Sequence, residues 1–125
     1  MGHFDSTLHA LMSEAKATSR IPKDDRMYAI AFDLDVDTLS KTYHNASYTN
    51  AYSDIKKSLE PFGFRRQQGS VYFGDEKVDA VTCVLAVMDI ARKYPWFAPS
   101  VKDIRMLRIE ENNDLMPAVQ RATEK

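Results

Sequence analysis

The chain predicts an α+β sandwich in which one sheet of four strands carries helices on a single face. Three observations lead there. The apolar run Met27-Tyr28-Ala29-Ile30-Ala31-Phe32 closes on Asp33-Leu34 and reads as a buried strand. Two later stretches, Tyr48 to Phe62 and Asp79 to Lys93, repeat apolar residues at helical spacing. Between those helices, Gln68-Gly69 separates two short strand-like runs and reads as a hairpin turn.

Taken in order, residues 1–26 differ from the rest. Leu8, Leu11, Met12 and Ala15 recur at helical spacing behind Asp5, Ser6 and Thr7, which predicts a short amphipathic helix ending near Ser19. Arg20-Ile21-Pro22-Lys23-Asp24-Asp25 then reads as a linker, because proline biases its predecessor away from helix. The expected organisation is an extension over residues 1–26 and a folded domain over 27–125. After strand one, Asp35 or Asp37 caps a short helix to about Tyr43. Tyr48, Tyr52, Ile55, Leu59 and Phe62 form the next helical stripe, stopped by Gly63. Phe64 to Gln67 and Ser70 to Phe73 make the hairpin. Asp79 caps a second long helix whose expected apolar side is Val81, Val84, Leu85 and Met88. Tyr94 to Pro99 ends it, Val101 to Ile109 makes strand four, and Leu115, Ala118, Val119 and Ala122 predict a short terminal helix that tolerates Pro117 in its first turn.

The order β-α-β-β-α-β is that of the ferredoxin-like split βαβ unit, with right-handed crossovers and sheet order 4-1-3-2. Strand one is then central and antiparallel to both neighbours. Its end meets the beginnings of strands three and four, so Asp33, Ser70 and Asp103 share one sheet edge. Alternation of side chains puts Tyr28, Ile30 and Phe32 under the helices with Val71, Phe73, Ile104 and Met106. Asp33, Ser70, Asp103 and Arg105 face the other way. That open face also carries Ala29, Ala31, Tyr72 and Leu107, too apolar a surface to stay wet, and a second copy of the chain is its expected cover. A twofold axis there would bring two Asp33 carboxylates together, able to hold a divalent ion such as Mg²⁺ or to share a proton.

Composition narrows the function classes. The chain has 125 residues, 44% of them hydrophobic, and a net charge of -1, so no global positive field advertises nucleic acid and any such contact must use a local patch. Cys83 is the only cysteine, which excludes an intramolecular disulfide and a cysteine-rich zinc site and fits a reducing compartment. No apolar run approaches the roughly 20 residues that span a bilayer. A cytoplasmic protein without membrane contact is expected. The Asp33-x-Asp35-x-Asp37 spacing lacks the glycine and distal glutamate of a calcium loop.

Several strings, taken together and in this order, are distinctive: MYAIAFDLD, YTNAYSDIKKSLEPFGF, QGSVYF, and WF followed by SVKDIR and LRIEE. Over about Met27 to Glu111 they resemble the virulence-associated protein D (VapD) family, with residues 1–26 outside the match. The resemblance implies a ferredoxin-like homodimer related to the small CRISPR-associated nuclease-like subunit. It implies endoribonuclease activity, with RNA as substrate, and a toxin paired with an antitoxin protein. Carried over by motif, Asp33 of FDL, Ser70 of GSVY and Asp103 of DIR are the catalytic candidates, the same residues that topology gathers. Leu39 falls at a position where the family has an apolar residue and is read as shape.

Each candidate has an ordinary alternative. Asp33 could cap the turn after it, Ser70 could satisfy the hairpin backbone, and Asp103 could pair with Arg105 or Lys102. His44 is the most useful titrating group near the strand-one loop and a candidate acid or base. Arg65 and Arg66, with Arg105, are candidates for phosphate contact. Tyr43, Tyr48 and Tyr72 are candidates for stacking on unpaired bases. Cys83 reads as packing. The leading expectation is an endoribonuclease using either a metal-free 2′-hydroxyl attack or a Mg²⁺-activated water. The alternative is a non-catalytic ferredoxin-like dimer that acts as an assembly module for nucleic acid or protein.

Overall fold

The computed structural model describes residues 27–44 and 47–124. The helix and linker expected before residue 27 lie outside the described residues. Met27–Arg108 make one compact unit.

Strand β1 (Met27–Leu34) forms where the apolar run was read, with Ile30, Phe32 and Leu34 in the core and Asp33 exposed between them. The chain then turns into α1 (Val36–Thr42). Asp35 rather than Asp37 caps it: its carboxylate accepts the Asp37 amide at 3.2 Å and the Thr38 hydroxyl at 3.0 Å, satisfying donors that a helix start leaves unpaired. Leu39, at 0% exposure, fills the core from this helix, as a residue of shape should.

Helix α2 (Asn50–Leu59) buries Ala51, Ile55 and Leu59 and continues as a 3-10 turn over Glu60–Phe62. Gly63 ends it at φ 99°, a left-handed conformation that glycine adopts without a Cβ penalty. The hairpin follows as β2 (Phe64–Gln68) and β3 (Val71–Gly74), with a bulge between Arg66 and Gln68.

Helix α3 (Ala80–Lys93) is capped by Asp79, whose Oδ1 accepts the Thr82 amide at 2.8 Å. Tyr94 closes α3, a short α4 (Phe97–Ser100) anchors the chain through buried Trp96 and Phe97, and β4 (Val101–Ile109) completes the sheet. The four strands lie in the order β2-β3-β1-β4, the expected ferredoxin-like arrangement. Beyond that unit, α5 (Met116–Thr123) forms over the expected stripe with Pro117 in its first turn. Among the described residues, no helix is long and apolar enough to cross a membrane.

Two phases differ from the sequence reading. In β3, Ile30 lies opposite Tyr72 and Ala31 opposite Val71. Cross-strand partners share a face, so Tyr72 joins Ile30 in the core at 1% exposure, its ring 6.2 Å from that of Phe32. Val71 and Phe73 take the open face. The run Val71-Tyr72-Phe73 is apolar at every position and does not fix its own phase. Gly74 does: a Cβ there would lie 2.7 Å from the Cβ and Cγ1 of Val78, so only glycine fits beneath the segment that enters α3.

In α3 the buried face is Cys83, Ala86 and Ile90, while Val81, Val84, Leu85 and Met88 are 64%, 53%, 52% and 40% exposed. This helix is apolar around most of its circumference, and the small side chains of Cys83 and Ala86 let its backbone approach the sheet where Val84 and Leu85 would hold it off. Cys83 is thus a packing residue, and burial, then the Asp79 charge, push its thiol pKa up.

Gly74→Ala should cost about 1–3 kcal/mol, the range for overpacking. Urea unfolding measures it, and an unchanged midpoint would refute the close approach of Val78.

Candidate functional site

The edge where β1 ends and β4 begins is built by α1 and α4. The Asp35 amide donates to the Ser100 carbonyl at 2.7 Å. Ser100 itself is 0% exposed, and its hydroxyl lies 3.3 Å from that of Thr42 at the end of α1. These bonds join the two strands at fixed positions. Asp33 then stands on one side of the join and Lys102 on the other, with Lys102 Nζ 4.0 Å from Asp33 Oδ2. Both side chains remain largely in solvent, 67% and 60% exposed.

Asp35 is part of the scaffold. The Thr38 hydroxyl above all, then the Thr38 and Asp37 amides and the Lys102 charge, hold its carboxyl below the ordinary value against a desolvation that works the other way. Asp103 is exposed and turned to Arg105, whose Nε lies 3.2 Å from both carboxylate oxygens. The ion pair weighed in the sequence is therefore formed, and Arg105 spends its charge on it.

Ser70 is half-buried at the hairpin turn, and its carbonyl accepts the Phe32 amide at 3.1 Å. It reaches the expected edge. The register, however, gives it the phase of Phe32 rather than of Asp33, so the shared face expected of the three candidates holds for Asp33 and not for Ser70.

His44 is exposed and lies on Tyr43, ring centroids 4.2 Å apart. Tyr43 is 7% exposed, and its hydroxyl donates to Asp54 Oδ2 at 2.6 Å while its ring meets the edge of Trp96 at 5.3 Å. Arg65 and Arg66 are exposed on β2, the edge strand, and Arg66 Nε donates to the Gly69 carbonyl at 2.8 Å. Of the tyrosines considered for base stacking, Tyr72 is corrected outright, since a ring at 1% exposure inside the core cannot receive a base. Tyr43 fails for the same reason. Tyr48 stays half-buried at the surface.

Sequence reasoning missed two neighbours of Asp33. Lys102 was weighed only as a partner for Asp103. Tyr52 belongs to the helical stripe of α2, yet it is half-buried and within electrostatic reach of the Asp33 carboxylate: burial first, then Tyr48, then Asp33, raise its phenol pKa. The signal for Tyr52 was present, as a phenol at a core-facing position near a helix start.

Among the described residues, no group of three or more His, Cys, Asp or Glu side chains is gathered to hold a metal ion. Asp33 has an ammonium beside it, 4.0 Å away.

A ferredoxin-like α+β domain with an exposed carboxylate and ammonium at the β1/β4 edge is the class that these features define. No family model matches the chain. It is 54% identical over 93 residues to Endoribonuclease VapD 2 of Riemerella anatipestifer, covering 74% of this chain and 99% of that protein. To an Endoribonuclease VapD homolog of Helicobacter pylori it is 57% identical over 94 residues, covering 75% and 97%. To Endoribonuclease VapD of the same species it is 37% identical over 94 residues, covering 75% and 99%. The chain belongs to the VapD family.

Burial, then the bond to Asp54, push the Tyr43 phenol up to about 12 from an ordinary 10.0. A pKa raised by folding contributes stability that is whole below pH 10 and is lost as the pH rises through about 12. The unfolding midpoint of the wild type should therefore fall more steeply over that window than that of Tyr43→Phe. Parallel curves would refute the buried bond.

Proposed function

We propose that this chain is an endoribonuclease that works as a homodimer, with Asp33 as its central catalytic group. The observation that carries the reading is the exposed Asp33 carboxylate at the end of a central, otherwise buried strand, where strand packing gives an acid no role. The relatives, each named an endoribonuclease, point the same way.

The chemistry follows from what a carboxylate can do. Asp33 accepts the proton of a ribose 2′-hydroxyl, the freed oxygen attacks the adjacent phosphorus, and the bond from phosphorus to the 5′-oxygen breaks. The departing oxygen takes a proton from water. The products are a 2′,3′-cyclic phosphate and a 5′-hydroxyl. Ser70 reaches the same edge in the phase of Phe32 rather than of Asp33, so any help it gives to a phosphate oxygen as charge develops is secondary to that of Asp33. In the Mg²⁺ alternative, Asp33 of each copy would hold the ion and the products would carry a 5′-phosphate and a 3′-hydroxyl. The ammonium 4.0 Å from each Asp33 favours the first route, because a dication between two such carboxylates would meet two like charges.

The dimer rests on the open sheet face. Ala31, Val71 and Phe73 are half-buried there, an apolar strip that a second copy related by a twofold axis would cover. Pairing with an antitoxin protein belongs to the same proposal and has its support in the VapD family resemblance.

Purified wild type should cleave RNA, Asp33→Asn should lose about 100-fold or more, and Ser70→Ala should lose less. Cyclic phosphate ends and indifference to chelator are expected. Equal cleavage by wild type and Asp33→Asn would overturn the assignment of Asp33, and a wild type that cleaves no RNA would favour the non-catalytic assembly module.

A further inference from the structure

We infer that the β1/β4 edge holds a subsite for one unpaired nucleotide, with Lys102 receiving the phosphate and Tyr52 at the start of α2, with Tyr48 in the turn before it, receiving the base. The inference rests on the endoribonuclease reading and names residues that reading leaves open. It begins from the charges. Asp35 follows Asp33 closely in sequence, and Lys102, Asp103 and Arg105 lie at the start of β4. Asp35 is engaged by Thr38 and the Asp37 amide, and Arg105 meets both oxygens of Asp103 at 3.2 Å. Lys102 differs, because its 4.0 Å separation from Asp33 is too long for a direct hydrogen bond. An ammonium so placed can turn to a phosphate oxygen without breaking a formed bond.

Stability does not account for the pair. Exposed ion pairs contribute about 0–1 kcal/mol, and both groups here are more than half exposed. Yet their positions are fixed by the Asp35–Ser100 backbone bond and the buried Ser100 hydroxyl behind it. A rigid seat for a pair that does little for the fold is what a binding site requires. A chain with a net charge of -1 has no general field to gather RNA, so a phosphate must be met by particular cations.

The base has its own surface. Tyr48, in the turn that leads into α2, and Tyr52, in the first turn of α2, interact electrostatically, and both are half-buried against the core. The ring bodies are thereby held still while part of each remains at the surface. Tyr52 also lies within electrostatic reach of the Asp33 charge. Aromatic faces accept any base but need it unstacked, so the site selects single-stranded RNA over duplex.

Cleavage and RNA binding by Lys102→Gln, Lys102→Arg, Tyr52→Leu and Tyr52→Phe test this. Lys102→Gln should raise KM and the Kd for a single-stranded oligonucleotide about tenfold and flatten the slope of log K against log salt by about 0.7, one phosphate contact. Lys102→Arg should restore most of both. Tyr52→Leu keeps an apolar contact but removes the aromatic face, so it should weaken binding about five- to tenfold, and Tyr52→Phe should recover that loss. Circular dichroism checks that each variant folds. If wild type cleaves in an Asp33-dependent way while Lys102→Gln keeps its salt slope and KM, the subsite is wrong and the nuclease reading stands. If no Asp33-dependent cleavage occurs, the nuclease reading falls, and the salt slope and the Tyr52 pair still decide whether the nucleotide subsite exists.

Discussion

The hydrogen bond from the Asp35 amide to the Ser100 carbonyl, 2.7 Å long, is the constraint on which the candidate site depends. It joins the end of the central strand to the beginning of β4 at the point where both chains leave the sheet for helices. Ser100 is wholly buried, and a buried hydroxyl without a partner would cost about 1–3 kcal/mol. Thr42 supplies that partner, so the end of α1 is drawn to the same spot. Asp35 meanwhile caps α1 with its side chain. One residue thus starts a helix and ties a strand end, and Asp33 inherits a fixed position from both. Behind this join, Tyr43, Trp96 and Tyr94 pack ring against ring at 5.3 and 5.0 Å, which holds α1 to the end of α3.

The core shows why side-chain size decides where hydrophobicity does not. Both helices on the sheet must approach it closely, and α3 does so through Cys83 and Ala86, with Ile90 filling the space beyond. The same demand appears at Gly74, where Val78 occupies the volume a side chain would need. Small residues here mark close approach, and larger apolar residues on α3 turn outward.

These packing choices set what could be read from sequence. Element order, sheet order and the exposure of Asp33 were legible, because they follow from patterns with a single phase: one acid breaks the apolar run of β1, and Asp79 and Gly63 mark helix ends. The phases of β3 and α3 were not, because Val71-Tyr72-Phe73 and Val81 to Met88 are apolar at too many positions to name a face. Tyr72 crossed from the open face to the core for that reason. Val101 and Ile104 both pack on the core, which strict alternation forbids, so the start of β4 could not be phased either. Lys102 was hidden by this break: alternation assigned it to the side away from Asp33, whereas its long stem reaches the carboxylate.

The three acids at this edge differ in how far their charge is already satisfied, and that difference bears on function more than their number does. Asp35 is held by a hydroxyl and amides as part of the fold, so altering it would disturb a cap before it disturbed any chemistry. Asp103 faces a guanidinium through both oxygens, and opening that pair would forfeit charge-assisted contacts. Asp33 has only an ammonium at 4.0 Å, across solvent that screens much of the attraction. On the proposed nuclease reading, a substrate phosphate would take the ammonium while the carboxylate took up a proton. An acid and a cation this loosely joined, on a backbone this firmly tied, can separate without disturbing the strands that carry them.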